Sequence, residues 1–251
     1  MSGVRLTERV SVVGGGATGL GISHTLDPNV YLLSGGEELA LVDAGAGPGE
    51  ARILKNVRSL GYDPERIEHI YLTHAHADHA GGAASLSEKL GAQVYLSELE
   101  REALENADEE ALGLSIARRN GFYPDDYRLN PCMVDVPLGG NEKLQCGDLE
   151  LAVMPTPGHS AGSVCFFGGI EEEGVALFAG DTVFAGGRIS LIVAPGSDLL
   201  ALQESVTSLG GLGVASLLPG HGIFPLGGGQ KHIDQAIEGF RTMLPPRSIL
   251  Q

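Results

Sequence analysis

Residues 73 to 82 read Thr-His-Ala-His-Ala-Asp-His-Ala-Gly-Gly, which puts four potential metal ligands, His74, His76, Asp78 and His79, within six residues. This run restricts what the chain can fold into. Every buried imidazole needs a hydrogen-bond partner, so three histidines and an aspartate make a poor core. The apolar run Ile67–Leu72 precedes the block and places it on a turn at the end of a buried strand. On such a turn the first two histidines can face one way while Asp78 and His79 face a second position. Neutral imidazoles and carboxylates suit Zn, Fe or Mn alike.

Three further candidate ligands sit on short glycine-rich turns: His159 in TPGHSAG, Asp181 in FAGDTVF and His221 in LLPGHG. Each follows an apolar, strand-like run, so each should project from a strand end. Five of the eight histidines are then on such turns.

Charge narrows the partners. Thirty-two acids against sixteen bases give a net charge of −16. Nucleic acids and anionic membranes draw on a positive field, so neither is expected as a partner. No stretch approaches eighteen consecutive apolar residues, and the N-terminus lacks the continuous apolar core of a signal peptide. Cys132, Cys146 and Cys165 are odd in number with no C-x-x-C spacing, which fits buried, reduced thiols in a cytoplasmic protein.

Strands are expected at 9–13, 30–34, 38–43, 67–72, 93–96, 132–136, 142–144, 149–154, 164–167, 175–178 and 215–218, with 30–34 and 38–43 joined as a hairpin through Gly35-Gly36. Helical spacing marks 49–60, 83–90, 199–209 and 231–244. The segment 97–131 differs: an acidic stretch favours helix up to Asn120-Gly121, and an aromatic loop follows. Two groups of strands, each followed by helices, predict an α/β (α+β) chain. Its expected form is a four-layer αββα sandwich of two mixed β-sheets flanked by helices, one domain over 1–251 with an insert at 97–131.

A competing motif lies near the N-terminus. Gly14, Gly16 and Gly19 form G-x-G-x-x-G directly after an apolar strand, as in a flavin- or nucleotide-binding cradle. That cradle needs a helix of about a dozen residues next. Asp27-Pro28-Asn29 comes only eight residues after Gly19, so no complete βαβ unit fits. The other reading is a mobile glycine-rich loop.

The H-x-H-x-D-H block with later GH, GD and GH turns resembles the metallo-β-lactamase-fold hydrolases, most closely the glyoxalase II-like and general metallo-hydrolase branch, over about residues 9 to 225. The resemblance implies two divalent transition-metal ions, with Zn the first choice and Fe or Mn allowed. His74, His76 and His159 would hold one; Asp78, His79 and His221 would hold the other; Asp181 would bridge them. Asp43 in LALVDAG would support the site without binding metal. A hydroxide shared by the metals would attack, with Asp78 as proton shuttle.

Departures from relatives point to the substrate. Asp181 stands where the best-known β-lactamases carry Cys, which argues against antibiotic hydrolysis. About 30 residues follow His221, fewer than the glutathione-holding domain of glyoxalase II. Lactone hydrolases of this fold often have Tyr three residues after the bridging Asp, where this chain has Phe184. The expectation is a metal-dependent hydrolase of a small ester-type substrate, thioester or lactone. The alternatives are phosphodiester or phosphotriester hydrolysis on the same metals, and a flavin- or nucleotide-binding module. Substrate contacts are expected from His24 in the glycine-rich loop, Tyr123 in the insert, Phe184 and Arg188. A small molecule is the expected partner, with a homodimer compatible with the sequence.

Overall fold

In the computed structural model, which describes residues 2–171, 174–242 and 245–249, two sheets lie face to face. The first runs in chain order: β1 (Val4–Arg5), β2 (Val10–Gly14), β3 (Val30–Gly35), β4 (Glu38–Val42), β5 (Ile67–Tyr71), β6 (Gln93–Ser97) and β7 (Val136–Leu138). Its first four strands pair antiparallel and its last four pair parallel. The second has the order β12-β11-β10-β9-β8, from β8 (Lys143–Cys146), β9 (Leu149–Pro155), β10 (Val164–Glu171), β11 (Gly174–Gly180) and β12 (Val214–Pro219). There only β11 and β12 are parallel. Both sheets are mixed, as expected.

Parallel neighbours need crossovers, and helices supply them. They are α1 (Glu50–Ser59), α2 (Ala77–Ala80), α3 (Ala83–Leu90), α4 (Glu98–Glu105), α5 (Leu114–Arg119) and α6 (Leu199–Ser208), with α7 (Gly229–Arg241) after the last strand. Strand side chains alternate between two buried faces. In β4, Leu39 and Leu41 pack with Ile53 and Val57 of α1, while Ala40 and Val42 join the layer between the sheets. In β11, Ala176 and Phe178 enter that middle layer, and Leu177 meets Leu202, Val206 and Ile233 of α6 and α7. Three apolar layers therefore separate four structural ones, the αββα sandwich. Each fully buried Leu, Ile or Phe contributes about 1.5–3 kcal/mol, so the framework is strong enough to carry polar turns at its rim.

Two local expectations are corrected. The acidic stretch forms two helices, because Ala107 (φ 48°) and Gly113 (φ 71°) turn the chain and the Asp108 carboxylate accepts the Glu110 and Ala111 amides. Residues 132–135 make no ladder: the Cys132 and Val134 amides donate to Leu104 and Glu105 at the end of α4, so β7 begins at Val136. The segment between Gly14 and Asn29 contains no helix, and β2 pairs antiparallel with β3, so the βαβ unit that would cradle a dinucleotide is absent. The last helix ends at Arg241; positions 243 and 244 of its expected span lie outside the described residues. Among the described residues no helix is long and apolar enough to cross a membrane.

Cys132, Cys146 and Cys165 are free and buried. Burial pushes the Cys132 and Cys146 thiols up to about 12 and Cys165 up to about 11. A raised thiol pKa leaves the unreactive protonated form in place throughout neutral and mildly alkaline pH. Ellman's reagent at pH 8 is therefore expected to leave the native protein unlabelled and to find three thiols after denaturation. Rapid stoichiometric labelling of the native state would contradict this burial.

Candidate metal centre

The seven candidate ligands converge at one end of the sandwich. His74 and His76 leave the end of β5, Asp78 and His79 ride on the single turn α2, and His159, Asp181 and His221 follow β9, β11 and β12. Two donor sets with no shared residue result, His74/His76/His159 and Asp78/His79/His221, and a third, His74/His79/Asp181, overlaps both; in each the atoms lie within 4.8 Å of one another. His76 Nδ1 lies 3.1 Å from His74 Nε2 and 2.9 Å from His159 Nε2. Between the sets, Asp181 Oδ2 stands 3.6 Å from both His159 Nε2 and His221 Nε2.

Neighbouring groups orient the rings. Asp43 Oδ2 accepts from His79 Nδ1 at 2.8 Å, which turns Nε2 inward. Asp43 Oδ1 accepts the Thr73 amide, and the Thr73 hydroxyl, 3.0 Å from His74 Nδ1, donates to the same carboxylate. One aspartate thus aims two imidazoles, and it does so from the left-handed backbone region at φ 63°, a conformation rare outside glycine. Thr18 Oγ1 lies 2.9 Å from His221 Nδ1, and the Gly222 amide donates to Thr18 O. Asn29 donates from Nδ2 to Pro219 O and Gly222 O. The glycine-rich loop is therefore docked on the His221 turn.

Two glycines are obligatory here. Gly158 (φ 129°) would bring a Cβ within 2.2 Å of Leu202 N. A Cβ on Gly220 would sit 2.5 Å from Asp181 Oδ1 and 2.6 Å from His79 Cε1, filling the space those ligands share.

The electrostatics divide along the two sets. Burial pushes His74 and His76 down and His159 down to about 3, so all three imidazoles are neutral with lone pairs to offer. Burial also opposes charge on the second set, but there the attraction between unlike charges wins. The His79 and His221 imidazoles hold the carboxyls of Asp78 and Asp181 far below the usual range. In turn Asp43, Asp78 and Asp181 raise His79, and Asp181 and Asp78 raise His221.

A cation fits this donor set. His79 Nε2 and Asp181 Oδ1 are buried without a hydrogen-bond partner, a costly state for such atoms. Metal–nitrogen bonds of about 2.0–2.1 Å at tetrahedral angles separate ligand nitrogens by about 3.3 Å, close to the spacings around His76 Nδ1. Asp78 and His221 keep 20% and 17% of their side chains exposed, while His79 has none, so the centre opens on that side.

The expected substrate contacts divide. The Tyr123 hydroxyl donates to Asp78 Oδ1 at 2.9 Å, so the insert reaches the centre; beside it, Tyr127 donates to Ala46 O and Ala77 O. His24 Nδ1 accepts the Leu26 amide within its own loop. Phe184 is 1% exposed, and its amide donates to Arg188 O across a tight turn. Arg188 is half-buried on that turn. Thr18, Thr73 and Asn29 escaped sequence reading, since a lone Thr or Asn carries no spacing signal.

The model of the metallo-β-lactamase superfamily matches residues 25–221. A hydroxyacylglutathione hydrolase of Anaeromyxobacter dehalogenans is 37% identical over 64% of this chain and 48% of its own, so the chain spans about half the length of that relative. The acyl-coenzyme A thioesterase MBLAC2 of Homo sapiens is 29% identical over 77% of this chain and 72% of its own. Among solved structures, a metallo-β-lactamase family protein from Thermus thermophilus superposes with a TM-score of 0.72 at 25% identity, covering 94% of this chain and 81% of that one.

Proposed function

The chain belongs to the metallo-β-lactamase superfamily, and on that premise we propose that it is a dinuclear metal-dependent hydrolase of a small ester-type substrate, a thioester before a lactone. The observation that carries the reading is the pair of donor sets with Asp181 between them, its Oδ1 and His79 Nε2 buried 3.5 Å apart with neither making a hydrogen bond. His74, His76 and His159 would hold one metal and Asp78, His79 and His221 the second, with Asp181 within reach of both sets. Zn is the first choice for this donor set. Such a pair, when bound, would supply a water acidic enough to attack at neutral pH and a Lewis acid for the carbonyl oxygen.

The chain's own residues do the rest. Asp43 and Thr73 keep the ligand nitrogens turned inward, and Asp78, ionised and open to solvent, accepts the proton released by attack. Tyr123, donating to the free Asp78 oxygen, limits how that carboxylate can rotate. The thioester preference draws support from two relatives whose names describe hydrolysis of acyl groups carried on thiols.

The test is a hydrolysis screen of protein loaded with Zn, Fe or Mn, run across acyl thioesters, lactones and phosphodiesters, beside elemental analysis. Two transition metals per chain and a kcat/KM for a thioester at least tenfold above the other classes are expected. Preference for the phosphodiester would redirect the substrate assignment, and a protein that takes up no metal would overturn the whole reading.

A further inference from the structure

Glu100 is 7% exposed and lies outside both donor sets. Its sequence context suggests a purely local task. Ser97 caps α4, and Ser-x-x-Glu is a capping box, in which the glutamate returns to the capping residue's own amide. The structure uses this glutamate differently. Oε2 accepts the Ala75 amide at 2.7 Å, and Oε1 accepts the Gly162 amide at 3.0 Å. Ala75 separates His74 from His76, and Gly162 lies three residues after His159. One buried carboxylate therefore clamps the two turns that carry the neutral triad. The approach is close enough that a Cβ on Gly162 would fall 2.7 Å from Glu100 Cγ, so position 162 is shaped around this side chain.

We propose that Glu100 is a positioning residue that presets the His74/His76/His159 triad, holding its three ligand nitrogens in one place before a metal arrives. The inference rests on the dinuclear reading above. Where the two turns leave their sheets, the Val164 amide donates to Thr73 O at 2.9 Å, and the doubly accepting Glu100 carboxylate adds a second tie on the ligand side of that bond. Both of its hydrogen bonds go to backbone amides and none to a ligand ring. A Gln at this position keeps the shape but offers one acceptor, so its NH2 must face one of the two amides.

The experiment compares Glu100→Gln with wild type and with Glu98→Gln, a control on the exposed side of the same helix. Each metal-free protein is titrated with Co(II) against a chromophoric chelator, and backbone amide exchange and thermal unfolding are followed in the same samples. Glu100→Gln is expected to weaken one of the two metal equivalents by about 10–100-fold, leave the other within threefold, and speed exchange at Ala75 and Gly162. Glu98→Gln should match wild type. Wild-type affinity for both equivalents in Glu100→Gln would overturn the proposal, as would a lower melting temperature with both affinities unchanged. Should Glu100→Gln not fold, wild type alone decides. Its metal-free Ala75 and Gly162 amides must be protected like those of the core strands, and exchange at loop rates would refute the clamp. A wild-type protein that binds no Co(II) would instead refute the dinuclear reading.

Discussion

Alanine at His76 or Asp78 is expected to abolish hydrolysis while leaving far-UV circular dichroism unchanged. His76 Nδ1 is the atom on which the neutral triad converges, 3.1 Å from His74 Nε2 and 2.9 Å from His159 Nε2. Without it, the metal proposed for that set would lose one of its three histidine donors. Asp78 belongs to the second donor set and bears the proposed proton-accepting carboxylate, so its loss removes a ligand and a base together. A fall in kcat/KM of at least about 10³-fold is expected for either variant, which corresponds to about 4 kcal/mol. The fold should survive because the three apolar layers contain none of the ligand side chains. Steady-state kinetics on metal-saturated protein make the comparison. Turnover within tenfold of wild type in either variant would refute the site assignment.

Asp43 should be the most sensitive position outside the ligand sets. Asp43→Ala removes the acceptor for His79 Nδ1, the Thr73 amide and the Thr73 hydroxyl, all buried. It also places a Cβ-only side chain at φ 63° with no hydrogen bond to favour that conformation. A loss of about 3–5 kcal/mol is expected in urea unfolding, the range for removing one partner of a buried charged pair. Asp43→Asn is the more informative change. Asn tolerates the left-handed region and can still accept the Thr73 amide, so stability should fall less. Its NH2, however, would face His79 Nδ1. The imidazole would then have to accept there and carry its proton on Nε2, the nitrogen needed for metal. Metal affinity is therefore expected to drop about 10–100-fold. Asn at this position with wild-type metal affinity would show that Asp43 does not govern the His79 tautomer.

Much of this architecture was legible before any coordinates. Among the described residues, periodicity located ten of the twelve strands to within a few residues and marked the helices around Ile53, Leu86, Val206 and Ile233, because the central strands bury both faces and each of these helices buries one against an apolar layer. The failures were at places governed by side chain–backbone bonds. Asp108 ended a helix that composition favoured, and Glu105 captured the Val134 amide from a strand that apolar content favoured. The G-x-G-x-x-G pattern misled in one of its two readings for a similar reason. Its glycines serve a loop stitched to the His221 turn by Thr18 and Asn29, and nothing in the local pattern encodes that partner.

The sequence by itself determined the chemistry available: seven His and Asp side chains in an order that matches one superfamily, on a chain of net charge −16. These are properties of residue type and spacing along the chain. Only the tertiary structure decided how those side chains are held. Asp43 meets His79 across 36 residues, Tyr123 meets Asp78 across 45, Glu100 meets Gly162 across 62 and Thr18 meets His221 across 203. Such contacts arise where separate strand ends arrive at one rim of the sandwich. A hydrogen bond depends on distance and angle in space, which residue order does not record.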